Sequence, residues 1–159
     1  MKITNVTATV LRLPQISSAA DGTQDDLIIT VETDEGITGY GEVDTAPYVG
    51  KAVVDAYMSH GTCYGLREVV VGSDPFDYEQ IWNDMWAKTY YYGRSGPVMH
   101  VMSGIDMAIW DIMGKAVGKP VHKLLGGSYA DKVRAYASAL MPDTPDEVKK
   151  MTEKYVSQG

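Results

Sequence analysis

The stretch SGIDMAIWDIMGKAVGKP, residues 103–120, constrains the fold more than any other part of the chain. Apolar residues recur at helical spacing from Val98 to Val117, and Gly118 followed by Pro120 supplies a stop, so a long helix is predicted over 98–117. Its main stripe is Val98, Met102, Ile105, Ile109, Ile112 and Ala116. Met99, Met107 and Trp110 lie off that stripe, toward the other side. A helix that is apolar on two faces is normally buried on two faces. One layer must come from the rest of the chain, and little in this sequence is left to cover the second.

The same stretch carries two carboxylates, Asp106 and Asp111. Five residues along an α-helix is a rotation of about 140°, so the pair diverges and cannot share a proton or bracket a substrate. Asp111 stands four residues before Lys115, the spacing of a helix ion pair. Asp106 flanks the main stripe, and if buried it needs a backbone or side-chain donor.

Three strands are predicted ahead of this helix. KITNVTATVLRL is rich in β-branched residues and stopped by Pro14; LIITVET and ITGYGEV follow, joined by Asp-Glu-Gly, with Gly36 suited to the turn. Together they make an antiparallel meander. Between the first two strands runs the polar segment Gln15–Asp26, long enough to be either a binding loop or a mobile surface loop.

From Tyr48 to about Val71 the pattern is helical but blurred by Gly61 and Gly65. A clearer helix begins after Asp74, a natural N-cap, with Pro75 at the first position and Tyr78, Ile81, Trp82 and Met85 as its stripe. YYYGRSG breaks it, and a short helical turn closes on Leu124-Leu125-Gly126-Gly127. VRAYASAL (Val133–Leu140) reads as a buried strand. It leads into a helix with a capping box, Thr144 and Glu147, that runs to Gln158 with Gly159 as its stop. A strand then a helix is half of a βαβ unit, whose next strand would begin where the sequence ends.

Composition removes several functions. A formal charge of −7 with no basic run argues against nucleic-acid binding. No long apolar stretch or leader pattern is present, which favours a soluble, cytoplasmic protein away from membranes. The single cysteine, Cys63, cannot form an internal disulfide, and His60, His100 and His122 lack metal-ligand spacing. The glycines of GITGYGEV precede no helix start and make no phosphate cradle.

DDLIITVETDEGITGYGEV, GSDPFDYEQIWNDMW and SGIDMAIWDIMGKAVGKPVHKLLGG together resemble the enolase superfamily, in its mandelate racemase/muconate lactonizing branch. VRAYAS resembles the first barrel strand of that family, and YGRSG (Tyr92–Gly96) its acid-sugar dehydratases. The resemblance implies an α+β fold: a three-stranded antiparallel meander and a helical bundle forming a capping domain over 1–127. Residues 128–159 would then be the first strand-helix unit of a truncated TIM barrel.

It further implies a parent enzyme in which Mg²⁺, held by barrel carboxylates outside this chain, stabilises the enediolate formed by removing the proton α to a carboxylate. Dehydration of a sugar acid is the expected reaction, with racemisation, epimerisation or cycloisomerisation sharing its first step. A homo-oligomer is expected, and the 159-residue chain alone is expected to be inactive.

In such a family two cap loops close over the substrate. Here they correspond to Gln15–Asp26 and roughly Asp44–Lys51, which makes Gln15, Tyr48 and Lys51 candidate substrate-binding residues, Lys51 for an anion. Arg94 is a fourth candidate, either a fork for carboxylate or hydroxyls or a salt-bridge residue at an interface. Tyr90–Tyr92 are either ligands or interface aromatics. No catalytic or metal residue is expected in the chain itself. A different class of protein, a stand-alone binding module that reuses the cap fold, would display its second apolar helix face to a partner.

Overall fold

Alternating burial lays down the sheet. Strand β1 (Ile3–Arg12), β2 (Asp25–Thr33) and β3 (Thr38–Val43) pair antiparallel in the order β1-β2-β3, with Val6 opposite Val31 and Leu27 opposite Val43. A computed structural model of the chain describes residues 1–18, 24–138 and 142–158. It divides into two compact units, 1–14 with 24–128, and 15–23 with 129–159. In the first, Ile3, Val6 and Ala8 of β1, Leu27, Ile29 and Val31 of β2 and Val43 of β3 are buried on one face of the sheet. The β2–β3 turn uses Gly36 at φ +76°, and Thr33 closes it by donating its hydroxyl to the Ile37 carbonyl and accepting from the Ile37 amide.

Helices cover that face. The 3₁₀ turn Pro75–Asp77 is capped by Asp74, whose carboxylate accepts from the Phe76 amide at 3.0 Å, and it feeds α3 (Tyr78–Lys88). The long helix α4 spans Pro97–Val117 and ends on Gly118, which is left-handed at φ +66° as its stop requires. Helix α5 (Val121–Leu124) follows. The expected helical stretch from Tyr48 to Val71 is two helices, α1 (Pro47–Asp55) and α2 (Leu66–Val70). Gly65 explains part of the break: a Cβ there would sit 1.9 Å from the Ala56 carbonyl oxygen, so the chain returns over itself and an unbroken helix is excluded.

The sheet and α4 touch backbone to backbone. A Cβ on Gly41 would lie 1.9 Å from the Gly104 carbonyl oxygen, and one on Gly39 would lie 2.0 Å from that of Ala108. Glycine at these strand positions therefore lets the helix axis come closer to β3 than any side chain would allow. Val98, Met102, Ile105, Ile109 and Ile112 of the predicted stripe are buried, but Ala116 is exposed. The second face is partly covered: Trp110 packs against Tyr78 with ring centroids 4.9 Å apart, while Met107 remains 46% exposed.

In the second unit, α6 (Pro145–Val156) carries both halves of its capping box, Thr144 Oγ1 accepting from the Glu147 amide and Glu147 accepting from the Thr144 amide. The strand expected at Val133–Leu140 is not formed over 133–138. These residues pair with no other segment among the described residues, and Val133 and Tyr136 are almost fully exposed. A strand is stabilised by the ladder it joins, and no such neighbour pairs with it among the described residues. Leu140 and the expected stop at Gly159 lie outside the described residues.

Candidate functional site

Each edge of the sheet is closed by a helix ion pair. On β1, Lys51 Nζ donates to the Ala8 carbonyl at 2.9 Å and pairs with Asp55 at 2.8 Å. Arg67 Nε donates to the Val6 carbonyl at 2.6 Å, and its guanidinium also reaches Asp55. On β3, Asp111 accepts from the Tyr40 amide at 3.0 Å and from Lys115, which in turn donates to the Thr38 carbonyl. Unpaired edge groups are thereby satisfied, and the edges are blunted against pairing with another chain. Asp111 thus has the structural role its spacing suggested. Lys51, a candidate for meeting an anion, has its ammonium on the Ala8 carbonyl and Asp55, which ties α1 to β1.

That anchoring sets the neighbouring loop. Pro47, Gly50, Val53 and Val54 turn α1 inward, which leaves Tyr48 at its first turn 66% exposed. Gln15 is exposed and belongs to the second unit; of its loop, residues 19–23 lie outside the described residues.

Arg94 sits in the α3–α4 connection with φ +74°, a conformation uncommon for a residue with a Cβ, and its guanidinium lies 4.0 Å from the Tyr90 ring centroid. Of the adjoining tyrosines, Tyr90 and Tyr91 are largely exposed. Tyr91 meets the His60 ring edge-on at 5.0 Å, and the Tyr92 hydroxyl donates to the Tyr64 carbonyl. Burial, with a smaller contribution from Cys63, raises the Tyr92 pKa, so it stays a neutral donor. No hydrogen bond, ion pair or ring contact joins Tyr48, Lys51 and Arg94 to one another among the described residues.

Two clefts are lined in part by residues of α4. One, of about 430 Å³, is lined by Tyr78, Glu79, Trp82, Asn83, Asp106 and Trp110. The other, of about 470 Å³, is lined by Glu42, Val43, Asp44, His100, Ser103 and Met107. The first went unread in the sequence, although Tyr78/Trp82 and Asp106/Trp110 are both spaced i, i+4 and so share a helix face. Asp106 lacks the donor expected for it. No described hydrogen bond or ion pair reaches it, and burial alone raises its pKa. Among the described residues no three His, Cys, Asp or Glu side chains converge to hold a metal ion, and no helix is long and apolar enough to cross a membrane.

What the described residues of the first unit provide is a sheet covered by helices, with Tyr48 and the α3–α4 connection exposed. The sheet-and-bundle pattern matches the family model for the mandelate racemase/muconate lactonizing enzyme N-terminal domain over residues 2–126. The chain belongs to that family. It is 41% identical over 134 residues to a D-galactonate dehydratase from Pectobacterium atrosepticum, covering 80% of this chain and 32% of that protein. With an L-rhamnonate dehydratase from Saccharopolyspora erythraea it shares 36% identity over 122 residues, 77% of this chain and 29% of the other. A solved enolase-superfamily structure from Polaromonas sp. JS666 superposes with a TM-score of 0.81 at 32% identity, covering 100% of this chain and 42% of that one. The chain spans about a third of the length of the curated relatives it matches.

Proposed function

We propose that this chain is the substrate-closing cap of a Mg²⁺-dependent enzyme that dehydrates a sugar acid. A base takes the proton α to the carboxylate, and the β-hydroxyl then departs as water, leaving an enol that becomes the 2-keto acid. The observation that carries this reading is the shared identity, across the cap, with dehydratases of two different sugar acids. In this reading residues 1–127 are the cap and 128–159 open the barrel. The end of the family match at residue 126 and the limit of the first compact unit at Ser128 support that border. Magnesium would stabilise the enediolate charge. In this reading its ligands and the base belong to the barrel.

The cap's own contribution is binding and the exclusion of water. Tyr48 would offer its phenol to a substrate hydroxyl from the start of α1. Arg94 would offer a planar fork to a carboxylate or a diol, and Gln15 an amide from the first loop. Lys51 acts indirectly, since its bond to Ala8 and its pair with Asp55 hold the turn that carries Tyr48.

The test is a fusion in which residues 1–127 replace the matched cap of the Pectobacterium relative, assayed with Mg²⁺ on a panel of aldonic and aldaric acids. Turnover of at least one acid is expected, and Tyr48→Phe and Arg94→Gln should each raise KM with less effect on kcat. A folded fusion inactive on every acid would overturn the proposal. Unchanged KM in both variants would remove those residues from the substrate site.

A further inference from the structure

Three charged groups meet where the first two helices join the sheet. Asp55 closes α1, Lys51 stands one turn before it, and Arg67 comes from α2. Lys51 Nζ bonds Asp55 at 2.8 Å and the Ala8 carbonyl at 2.9 Å. Arg67 bonds Asp55 through a terminal nitrogen and the Val6 carbonyl through Nε, at 2.6 Å. Val6 and Ala8 are two residues apart on β1, so their carbonyls leave the same side of the strand. The Asp55 carboxylate is thus an acceptor shared by two cations that each hold the strand.

An ion pair at i, i+4 stiffens only its own helix. Arg67 adds a second helix, and α1, α2 and β1 become one brace. The remaining seat of α1 is apolar: Gly50, Val53 and Val54 face inward, and a Cβ on Gly50 would lie 2.5 Å from Leu27 Cδ2. Apolar contact is non-directional, so it holds the helix down without fixing where its first turn sits. That turn has little of its own to fix it. Ala46 at the N-cap offers no side-chain bond, and no acidic residue stands in the first turn. Tyr48 lies in this turn, about two turns from Asp55 along the same short helix. We infer that Asp55 is a positioning residue for substrate binding, fixing through Lys51 and Arg67 the turn that carries Tyr48. This role rests on the reading of Tyr48 as a substrate contact. At position 67 the two acceptors are met by different nitrogens of one planar group, a span that a lysine ammonium does not reproduce.

The test uses the fusion of the 159-residue chain to the remainder of the Pectobacterium relative, assayed with Mg²⁺ on an acid it turns over. Asp55→Asn should raise KM about fivefold, the size of one hydrogen bond to substrate, with kcat within about twofold. In a Tyr48→Phe background the same change should add less than about twofold, because the contact it positions is already gone. Asp111→Asn loosens the tie at the opposite edge of the sheet and is the control, with KM expected within about twofold of the parent. In the 159-residue chain alone, the amides of Val49 and Gly50, both bonded to the Ala46 carbonyl, should exchange about threefold faster in Asp55→Asn. If Asp55→Asn fails the fold check by circular dichroism, Arg67→Lys takes its place with the same pattern expected. A KM unmoved by Asp55→Asn while Tyr48→Phe raises it would overturn the positioning role and leave Tyr48 in the site. Effects that multiply in the double variant, an equal rise in Asp111→Asn, or unchanged exchange at Val49 and Gly50 would overturn it as well. A KM unmoved by Tyr48→Phe would remove Tyr48 from the substrate site, and the role of Asp55 with it.

Discussion

Gly41→Ala tests the packing on which the whole platform depends. The added Cβ would lie 1.9 Å from the Gly104 carbonyl oxygen, whereas ordinary contact begins near 3.4 Å, so β3 and α4 must part locally by about 1.5 Å. The obstacle is backbone on both sides, and no flexible side chain can swing aside. A gap of 0.5–1 Å already forfeits roughly a quarter to a half of a dispersion contact, and Ile29, Val43, Ile105 and Ala108 lie fully or almost fully buried in this same core. Overpacking typically costs about 1–3 kcal/mol, and this case belongs at or above the upper end, at about 3 kcal/mol. Gly61→Ala is the control, since nothing lies within 4 Å of its added Cβ; it should stay within about 0.5 kcal/mol of the parent. Urea titration followed by tryptophan fluorescence reads the right unit, because Trp82, Trp86 and Trp110 all belong to it. With a slope of about 1.5 kcal/mol per molar, Gly41→Ala should lower the midpoint by about 2 M. A midpoint within the error of the Gly61→Ala value would refute the close approach of β3 and α4.

Other perturbations separate the two aspartates of α4. Asp111→Ala strands the Tyr40 amide and Lys115, and should cost about 1–2 kcal/mol in the same titration. Asp106→Asn should do the opposite at neutral pH. Because burial raises the folded-state pKa of Asp106, its carboxyl favours the fold most when protonated, below its unfolded pKa, and that contribution is lost as pH rises through the folded value. The variant should therefore match or exceed the parent at pH 7, with any advantage disappearing in acid; a variant clearly less stable at pH 7 would contradict this. In the second unit, Thr144→Ala removes the capping box of α6 and should speed amide exchange in its first turn by about fivefold, corresponding to about 1 kcal/mol.

Local signals were legible in the sequence. Asp74 before Pro75, Gly118 before Pro120 and the Thr144/Glu147 box are all read from a few neighbouring residues, and each forms as expected. The stripe of α4 was legible too, apart from Ala116, which lies too near the helix end to be covered. Long-range features were not. Nothing near Gly39 and Gly41 says that a helix more than sixty residues away will press on them. The ties from Lys51 and Arg67 to β1 span 43 and 61 residues, so neither could be read from neighbouring residues. Val133–Ser138 has strand chemistry but no ladder to join, because propensity yields to the presence of a neighbour. The cleft beside Asp106 was not legible because its two walls come from separate helices.

The most direct test of the cap assignment compares the 159-residue chain with its fusion to the remainder of the Pectobacterium relative. Each is incubated with Mg²⁺ and D-galactonate or L-rhamnonate, and the 2-keto-3-deoxy acid is measured by mass spectrometry. The account predicts no product from the chain alone and steady turnover from the fusion. Product from the chain alone would place the chemistry in these residues, and a folded fusion without product would show that they are no such cap.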